Sequence, residues 1–193
     1  PSGRLPVTFP RSVAQLPPFE DYAMRERTYR YATWEPLYPF GFGLSYTRFL
    51  YRDLAVTPSK VPAGESCAVR LVVTNAGAVW GEEVVQLYLG ALAAGDLETP
   101  VEAPLWSLVA FQRVALAPGE SRAVAFSVTP EMMMLVDDDG RAVLEPGQFR
   151  LVAGGCSPGP RGQALGAPEP LSAVFEVVPI APRDFVGARH SVP

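Results

Sequence analysis

The sequence predicts an all-β fold, a sandwich of two facing sheets that follows an irregular N-terminal extension. From about Tyr46 onward, apolar and polar residues alternate in short runs, which indicates strands and argues against long helices. Segments rich in Pro, Gly and polar residues separate these runs and favour turns: "TPSKVPAGES", "TNAGAVWGEE", "LAPGES" and "LEPGQ". A chain of 193 residues can also bury a core without metal or disulfide staples.

Seven strands are predicted, and a short hairpin is added to them. The strands span residues 48–56, 67–75, 82–90, 106–114, 121–128, 148–153 and 171–178. In the hairpin, Leu135 and Val136 face residues 142–144 across an Asp-Gly turn. Seven strands over about 130 residues, with turns between them, are typical of an immunoglobulin-like or fibronectin type III-like sandwich.

The second strand, "CAVRLVVTN", shows which residues should form the core. Its inward set is Cys67, Val69, Leu71 and Val73, which alternate along the strand. In the expected topology Cys67 opens the second strand and Cys156 lies beyond the end of the sixth, so the two cysteines should be at opposite ends of the sandwich. We therefore expect no disulfide, and we interpret Cys67 as a small buried apolar residue.

The first 45 residues do not fit the sandwich pattern. "RLPVTF" has the alternation of a strand, but the following segment has three prolines and clustered charge. A long irregular segment is unusual inside a compact domain. The sequence thus predicts three parts: residues 1–45 as the end of a preceding domain plus a linker, 46–178 as the sandwich, and 179–193 as a tail.

Charge and hydropathy exclude several classes of partner. The formal net charge is only −4 with both signs scattered, so we expect no nucleic acid and no anionic membrane as partner. No apolar run approaches the roughly 20 residues of a membrane span, and the first residues show no signal peptide. The compartment is left open by the sequence.

The sequence gives little evidence for a catalytic or metal-binding site. His190 is the only histidine and lies three residues from the C-terminal end, so a Ser-His-Asp or Cys-His site is not expected. One His with two distant Cys also lacks the ligand spacing of a zinc site. "DDDG" at residues 137–140 is interpreted as a solvated turn. Glu82 and Glu83 should point to opposite faces of a strand and are interpreted as solvated, not as a carboxylate pair. We expect no catalytic residue, metal or cofactor.

The segment "PLYPFGFGLSYTRF" is unusual because residues 29–51 hold nine of the twenty aromatic residues. Three roles are considered: an interdomain seam, a part of the sandwich core, and a flat platform for a sugar. Phenylalanine rings have no polar edge and bury large areas when packed, which favours the seam. Gly41 and Gly43 would allow a sharp bend and a close approach of rings. The candidate docking residues are Tyr29, Tyr31, Trp34, Tyr38, Phe40, Phe42 and Tyr46.

Several ordered blocks resemble a known enzyme family. These are "GRLPVTFPRSVAQLP", "YPFGFGLSYTRF", "GEEVVQLYL", "FQRVALAPGES" and "VLEPGQFRLVAGG". Together they resemble the C-terminal end of glycoside hydrolase family 3, the β-glucosidases and β-xylosidases. In that family a catalytic barrel is followed by an α/β sandwich domain and often by a fibronectin type III-like domain. The resemblance implies that residues 1–45 include the exit of the α/β domain.

The segment before the junction looks most like the β-xylosidase branch, whose members often carry a Gly-Arg-Thr-Tyr-Arg-Tyr block. Here Glu26 stands in the place of that glycine. A second departure is Phe149, which occupies the stretch where many such domains have a tyrosine corner. Phe149 has no hydroxyl to bond the backbone, so packing alone should hold this corner.

The resemblance also implies what this chain lacks. Members of the family hydrolyse with retention, using a carboxylate nucleophile and a general acid/base from their catalytic domains. No block here corresponds to either, so no catalytic residue is carried over. The expected role is a non-catalytic accessory part that braces the catalytic domains of a β-xylosidase-like enzyme. Two alternatives are a carbohydrate-binding module that uses Trp34, Trp80 and Trp106, and a sandwich that contacts other proteins.

Overall fold

The structure is a computed structural model that describes residues 1–94, 103–137 and 139–179. Its centre is a β-sandwich of two sheets. The three-stranded sheet has the order β1 (Phe49–Thr57), β3 (Cys67–Asn75), β6 (Ser121–Val128), and the five-stranded sheet has the order β2 (Lys60–Pro62), β10 (Leu171–Val178), β9 (Gly147–Gly154), β4 (Gly81–Ala94), β5 (Ser107–Leu116).

Smaller elements connect and flank the sheets. β7 (Leu135–Val136) and β8 (Ala142–Val143) form a two-stranded hairpin. The helices are short: α1 (Thr28–Tyr31), α2 (Pro130–Met133) and α3 (Pro160–Ala164), with a 3-10 turn at Val13–Gln15. Within the described ranges, no helix has both the length and the apolar character that crossing a membrane requires.

The all-β prediction and the sandwich are confirmed. Each predicted long strand has a counterpart, and β3, β6 and β10 have the predicted bounds. The predicted hairpin also forms, because Leu135 pairs with Val143 and Val136 with Ala142. Strand β2 was not predicted; it is three residues long and pairs in parallel with β10. Residues 180–193, which hold most of the predicted tail and His190, lie outside the described residues.

The core fills the space between the two sheets. The inward set predicted on β3 is confirmed, since Cys67, Val69, Leu71 and Val73 are all buried in one cluster. From the facing sheet, β4 contributes Val85, Leu87 and Leu89, β9 contributes Phe149 and Leu151, and β10 contributes Phe175 and Val177. Burying such side chains is the main stabilising contribution to a fold of this type.

Two local predictions about the core also agree with the structure. Cys67 and Cys156 are both buried and free, so no disulfide joins them. Phe149 lies in the core, where its ring stacks on Phe175 with 5.6 Å between the ring centroids. Packing therefore takes the place of a tyrosine hydroxyl at this corner.

A buried asparagine fixes the start of the sandwich. Asn75 is 0% exposed; its amide donates to the carbonyl oxygens of Val79 (2.8 Å) and Leu116 (3.0 Å). Its Oδ1 accepts from the Thr47 hydroxyl (2.5 Å) and the Gly77 N–H (3.1 Å). A buried amide is stabilising only when its bonding capacity is used. Here the Asn75 amide joins the end of β3 to Thr47, to the turn at residues 77–79 and to the end of β5.

Candidate functional site

The N-terminal segment, residues 1–45, folds back on itself before the sandwich begins. Leu5 and Phe9 exchange backbone hydrogen bonds with residues 37–42, with donor–acceptor distances of 2.8 to 3.0 Å. The strand expected in "RLPVTF" is therefore an extended pairing with one isolated bridge, between Phe9 and Tyr38. Pro6 and Pro10 limit it, because proline has no N–H to donate to a ladder.

The aromatic part of this segment packs on the outer face of β4. Tyr29 meets Tyr88 edge-on, with 5.7 Å between centroids, and stacks on Phe40 at 4.4 Å. The Tyr29 hydroxyl accepts a hydrogen bond from the Leu108 N–H of β5 at 3.2 Å. Tyr88 is fully buried as a result. Offset and edge-on ring pairs of this kind add to the burial of area alone.

A buried glutamine connects the segment to two strands. Gln86 Nε2 donates to the carbonyl oxygens of Gly41 (3.1 Å) and Gly155 (2.7 Å), and its Oε1 accepts from the Tyr88 hydroxyl (2.5 Å). Gly41 has φ +77°, and a Cβ there would collide with the Gln86 carboxamide. Gly43 approaches the Gly3 carbonyl equally closely. Both glycines thus allow a close approach, but the groups that approach are the Gln86 carboxamide and the Gly3 carbonyl, not the neighbouring rings that the sequence analysis expected.

An ion pair between Arg4 and Glu83 anchors the beginning of the segment, and it corrects one prediction. Arg4 Nη2 lies 2.7 Å from Glu83 Oε1, and the Glu83 side chain is only 2% exposed. Burial raises the pKa of Glu83, and the Arg4 guanidinium acts in the opposite direction. The expectation that Glu83 is solvated was wrong, because Glu83 shares the inward face of β4 with Val85.

Glu82 does face the other way, as predicted. Its carboxylate accepts from Arg113 on β5 at 3.0 Å, and Arg113 also reaches the Ser2 hydroxyl. Hydrogen bonds from Ser2 and Arg113 lower the pKa of Glu82. The two adjacent glutamates therefore both contact the start of the N-terminal segment, from opposite faces of one strand.

Glu26 lies at the position where the resemblance to the β-xylosidase branch leads us to expect a glycine. Its φ is +56°, in the left-handed region that side chains other than glycine rarely adopt. The Glu26 carboxylate accepts from the Thr33 N–H (2.9 Å) and the Thr33 hydroxyl (2.7 Å), and these bonds lower its pKa. The side chain thus stabilises the turn that a glycine would form without strain.

The seven candidate docking residues fall into two groups. Tyr29, Tyr31, Trp34, Phe40 and Phe42 are half-buried or buried within this chain, whereas Tyr38 is partly exposed and Tyr46 is 86% exposed. Sequence reasoning did not single out Phe19 and Tyr22, which are 90% and 88% exposed. A sequence signal was available, since both are aromatic residues beside an acidic residue, Glu20 or Asp21, in a segment without periodicity.

Exposed apolar side chains are concentrated in the N-terminal segment. The described residues expose twenty large apolar side chains, and ten of them belong to this segment, which is less than a quarter of the chain. Val7, Leu16 and Met24 also line an open apolar hollow of about 510 Å³. Large exposed apolar surface marks a contact site more often than isolated exposed residues do.

The described residues contain no group of three or more His, Cys, Asp or Glu side chains that could hold a metal ion. A separate cleft of about 230 Å³ lies between the N-terminal segment and the sandwich, and both Trp34 and Trp106 line it. Trp80 is exposed outside this cleft. The surface therefore offers an apolar docking face and one small aromatic cleft.

Comparison with known proteins identifies the sandwich. Residues 83–157 match the fibronectin type III-like domain family. The chain is 39% identical over 158 residues to a putative β-xylosidase of Formosa agariphila, with 80% of this chain and 20% of that protein covered. It is 37% identical over 158 residues to a xylan 1,4-β-xylosidase of Xylanibacter ruminicola, with 80% and 17% covered.

The chain is also similar in structure to part of a solved glycosidase. A β-glucosidase of Erythrobacter marinus superposes with a TM-score of 0.73 at 34% identity, which covers 92% of this chain and 22% of that one. The chain spans about a fifth of the length of the curated relatives it matches. It therefore corresponds to the C-terminal part of glycoside hydrolase family 3 enzymes and contains their fibronectin type III-like domain.

Proposed function

We propose that this chain is a non-catalytic accessory part of a family 3 β-glycosidase, and that its N-terminal segment docks the sandwich onto the catalytic domains. One observation carries the proposal: the segment packs its inner rings on β4 and leaves its other apolar side chains, such as Phe19 and Tyr22, exposed. Relatives about five times as long supply the domains that would cover them. Residues 1–45 are then the end of the preceding domain plus the linker, and 46–178 the brace.

Five of the seven candidate docking residues are divided between two roles in this proposal. Tyr29, Phe40 and Phe42 hold the segment on the sandwich, and Tyr38 and Tyr46 contact the catalytic domains. Rigid attachment of the segment matters because a docking face fixes two domains only when it is itself fixed. The ion pair of Arg4 and Glu83 and the bonds of Gln86 provide that attachment.

Hydrolysis is assigned to the domains outside this chain. A retaining glycosidase needs two carboxyl groups about 5 to 5.5 Å apart on either side of the scissile bond. The buried carboxylate described here, Glu83, is bonded to Arg4 and to the Val84 N–H and lies at the inner face of a strand. We infer that the nucleophile and the general acid/base of the complete retaining enzyme lie in its catalytic domains. A β-xyloside is the favoured substrate of that enzyme.

An activity measurement tests this assignment. The purified chain is incubated with aryl β-xyloside and aryl β-glucoside, and release of the phenol is followed beside a Glu83→Gln variant. We expect no turnover above the buffer background from either protein. Turnover that survives repurification and is abolished in Glu83→Gln would overturn the non-catalytic assignment.

A binding measurement tests the docking face. The catalytic domains of the parent enzyme are titrated with this chain and with a Phe19→Ser/Tyr22→Ser variant. Phe111→Ser on β5 is the matched control, because Phe111 is an exposed ring outside the N-terminal segment. We expect the double variant to bind at least tenfold more weakly and the control to bind normally. Equal affinities of all three proteins would contradict the proposal.

Oligosaccharide or polysaccharide binding is a second candidate function. One observation favours it, namely that Trp34 and Trp106 line the same cleft. Such binding would be compatible with the brace, because the cleft and the exposed rings Phe19 and Tyr22 involve different residues.

A further inference from the structure

Three segments that are distant in sequence converge on the cleft of about 230 Å³. The N-terminal segment supplies residues 32–36, the chain before β5 supplies Leu105 and Trp106, and the turn from β9 into α3 supplies residues 157–162. The cleft exists only while the N-terminal segment is attached to the sandwich. Its volume is below the roughly 300–1,000 Å³ of sites for drug-sized ligands, so it suits one ring and not a larger molecule.

Trp106 is held in the cleft by its contact with β4. A Cβ at Gly90 would lie 2.5 Å from the Leu105 carbonyl oxygen and 3.2 Å from the ring atoms Cε3 and Cζ3 of Trp106. The absence of a side chain at Gly90 thus allows the indole to lie against the strand. A hydrogen bond of 2.6 Å from the Leu105 N–H to the Arg30 carbonyl oxygen fixes the chain just before the ring.

Trp34 is held from the other side. Its Nε1–H donates to the Glu26 carbonyl oxygen at 3.1 Å, so the one polar group of the indole is already bonded within the protein. The side chain therefore offers the cleft only carbon surface. Two half-buried indoles on the wall of one small cleft form a surface on which a flat apolar face of a ligand can stack.

One basic and one acidic side chain, Arg161 and Glu35, line the cleft beside the two indoles. Arg161 uses Nε to donate to the Leu37 carbonyl oxygen at 3.1 Å, and a guanidinium carries five N–H donors in all. Glu35, which also lines the cleft, pairs with Arg11 through Oε1, and a carboxylate has a second oxygen that can accept hydrogen bonds. Donors from Arg161 and acceptors from Glu35 at one cleft match a ligand that has many hydroxyl groups, because a hydroxyl both donates and accepts.

We propose that this cleft binds one pyranose ring of a neutral β-linked oligosaccharide of xylosyl or glucosyl units. The apolar face of the ring stacks on Trp106 and Trp34, and its hydroxyl groups bond to Arg161 and Glu35. The choice of sugar class rests on the proposed function, since the relatives are named β-xylosidases and β-glucosidases. The location and the ring-stacking role rest on the cleft alone.

Isothermal titration of the full chain with xylotriose and cellotriose tests the proposal, and maltotriose is the α-linked control. A site for one ring should bind with a Kd of about 1 mM, equivalent to roughly −4 kcal/mol. We expect saturable binding of one or both β-linked sugars, at least tenfold loss in Trp106→Ala, and no change in Trp80→Ala. Trp80 is the matched control because it is an exposed indole outside the cleft.

Arg161→Ala is the second test variant, since Trp106→Ala could disturb the fold by removing a packed ring. Arg161 reaches only one backbone carbonyl in the described structure, so its variant should keep the thermal unfolding midpoint and lose affinity. No heat from any sugar at about 20 mM, well above the expected Kd, would overturn the inference. Unchanged affinity in both Trp106→Ala and Arg161→Ala would overturn it as well.

The test separates this inference from the proposed function. Loss of sugar binding with intact docking to the catalytic domains would refute the cleft assignment and leave the brace untouched. Sugar binding that vanishes when the catalytic domains are added would show that the cleft is an interdomain contact, and it would also overturn the inference.

Discussion

The ion pair of Arg4 and Glu83 gives the sharpest prediction about stability. Replacing Arg4 with Met removes the counterion of a carboxylate that is 2% exposed and leaves that charge with the Val84 N–H as its remaining hydrogen-bond donor. Breaking one side of a buried pair typically costs about 3–5 kcal/mol. We expect about 3 kcal/mol, the lower end of that range, because the Arg4 side chain is itself 11% exposed and the pair is not fully shielded from water.

The sign of the pH dependence follows from the direction of the pKa shift. Burial raises the pKa of Glu83 above its ordinary value of 4.5, so the folded chain binds more protons than the unfolded chain between those two pKa values. The stability that the folded chain gains when Glu83 binds a proton is fully present below pH 4.5, and it is lost as the pH rises through the pKa of Glu83 in the folded chain. Without Arg4 the pKa rises further, so the penalty of Arg4→Met should be largest at neutral pH and shrink in acid.

Urea unfolding followed by tryptophan fluorescence measures this effect. A loss of about 3 kcal/mol lowers the urea midpoint by about 1 M or slightly more. The double variant Arg4→Met/Glu83→Leu should lie within about 1 kcal/mol of the native chain, because it buries no charge. Lys60→Met is the control for an exposed pair, with Glu176 at 3.1 Å, and should cost less than about 1 kcal/mol.

Either of two results would show that the buried ion pair does not stabilise the chain in this way. One is a loss of less than about 0.5 kcal/mol in Arg4→Met, the size expected of an ordinary surface substitution. The other is a loss in Arg4→Met that stays constant between neutral and acidic pH. The second result would mean that Glu83 keeps its charge in the folded chain and that burial does not govern its titration.

Three further predictions concern other buried groups. Asn75→Ala removes four hydrogen bonds and should lower the free energy of unfolding by about 3 kcal/mol in urea; a loss below about 1 kcal/mol would contradict its role. Gly41→Ala and Gly64→Ala share the cost of a positive φ, but only Gly41 faces another side chain. Gly41→Ala should therefore lower the free energy of unfolding in urea by about 2 kcal/mol more than Gly64→Ala does. Equal losses in the two variants would show that no side chain closely approaches Gly41. Burial raises the pKa of Cys67, and raises that of Cys156 to about 11, so neither thiol should react with a colorimetric thiol reagent in the folded chain at about pH 8. Both should react after unfolding, and rapid reaction of the folded chain would show that the two side chains are accessible.

The long strands could be predicted because each carries its own evidence. β3 alternates buried and exposed side chains along its whole length, and a turn bounds each end. Strand β2 could not be predicted, because three residues are too few to show a period. Helix α3 was missed for a related reason: its five residues, "PRGQA", have one Pro and one Gly and no apolar face.

The candidate site was predicted only in part. The aromatic cluster pointed to a contact surface, and the structure shows that Tyr29 and Phe40 contact β4 of the same chain. The role of Glu83 could not be foreseen, since its partner Arg4 is 79 residues away and only the fold brings them together. Alternation alone would have placed Glu83 on the inward face with Val85, but a charge at an inward position was interpreted as solvated.

Under the proposed function, this chain braces the catalytic domains of a longer enzyme. The most direct test of this role is the thermal unfolding midpoint of the catalytic domains of the parent enzyme, measured with and without an equimolar amount of this chain. We expect a higher midpoint with the chain present, and no such increase with the Phe19→Ser/Tyr22→Ser variant. An unchanged midpoint with the native chain would show that the chain does not brace these domains.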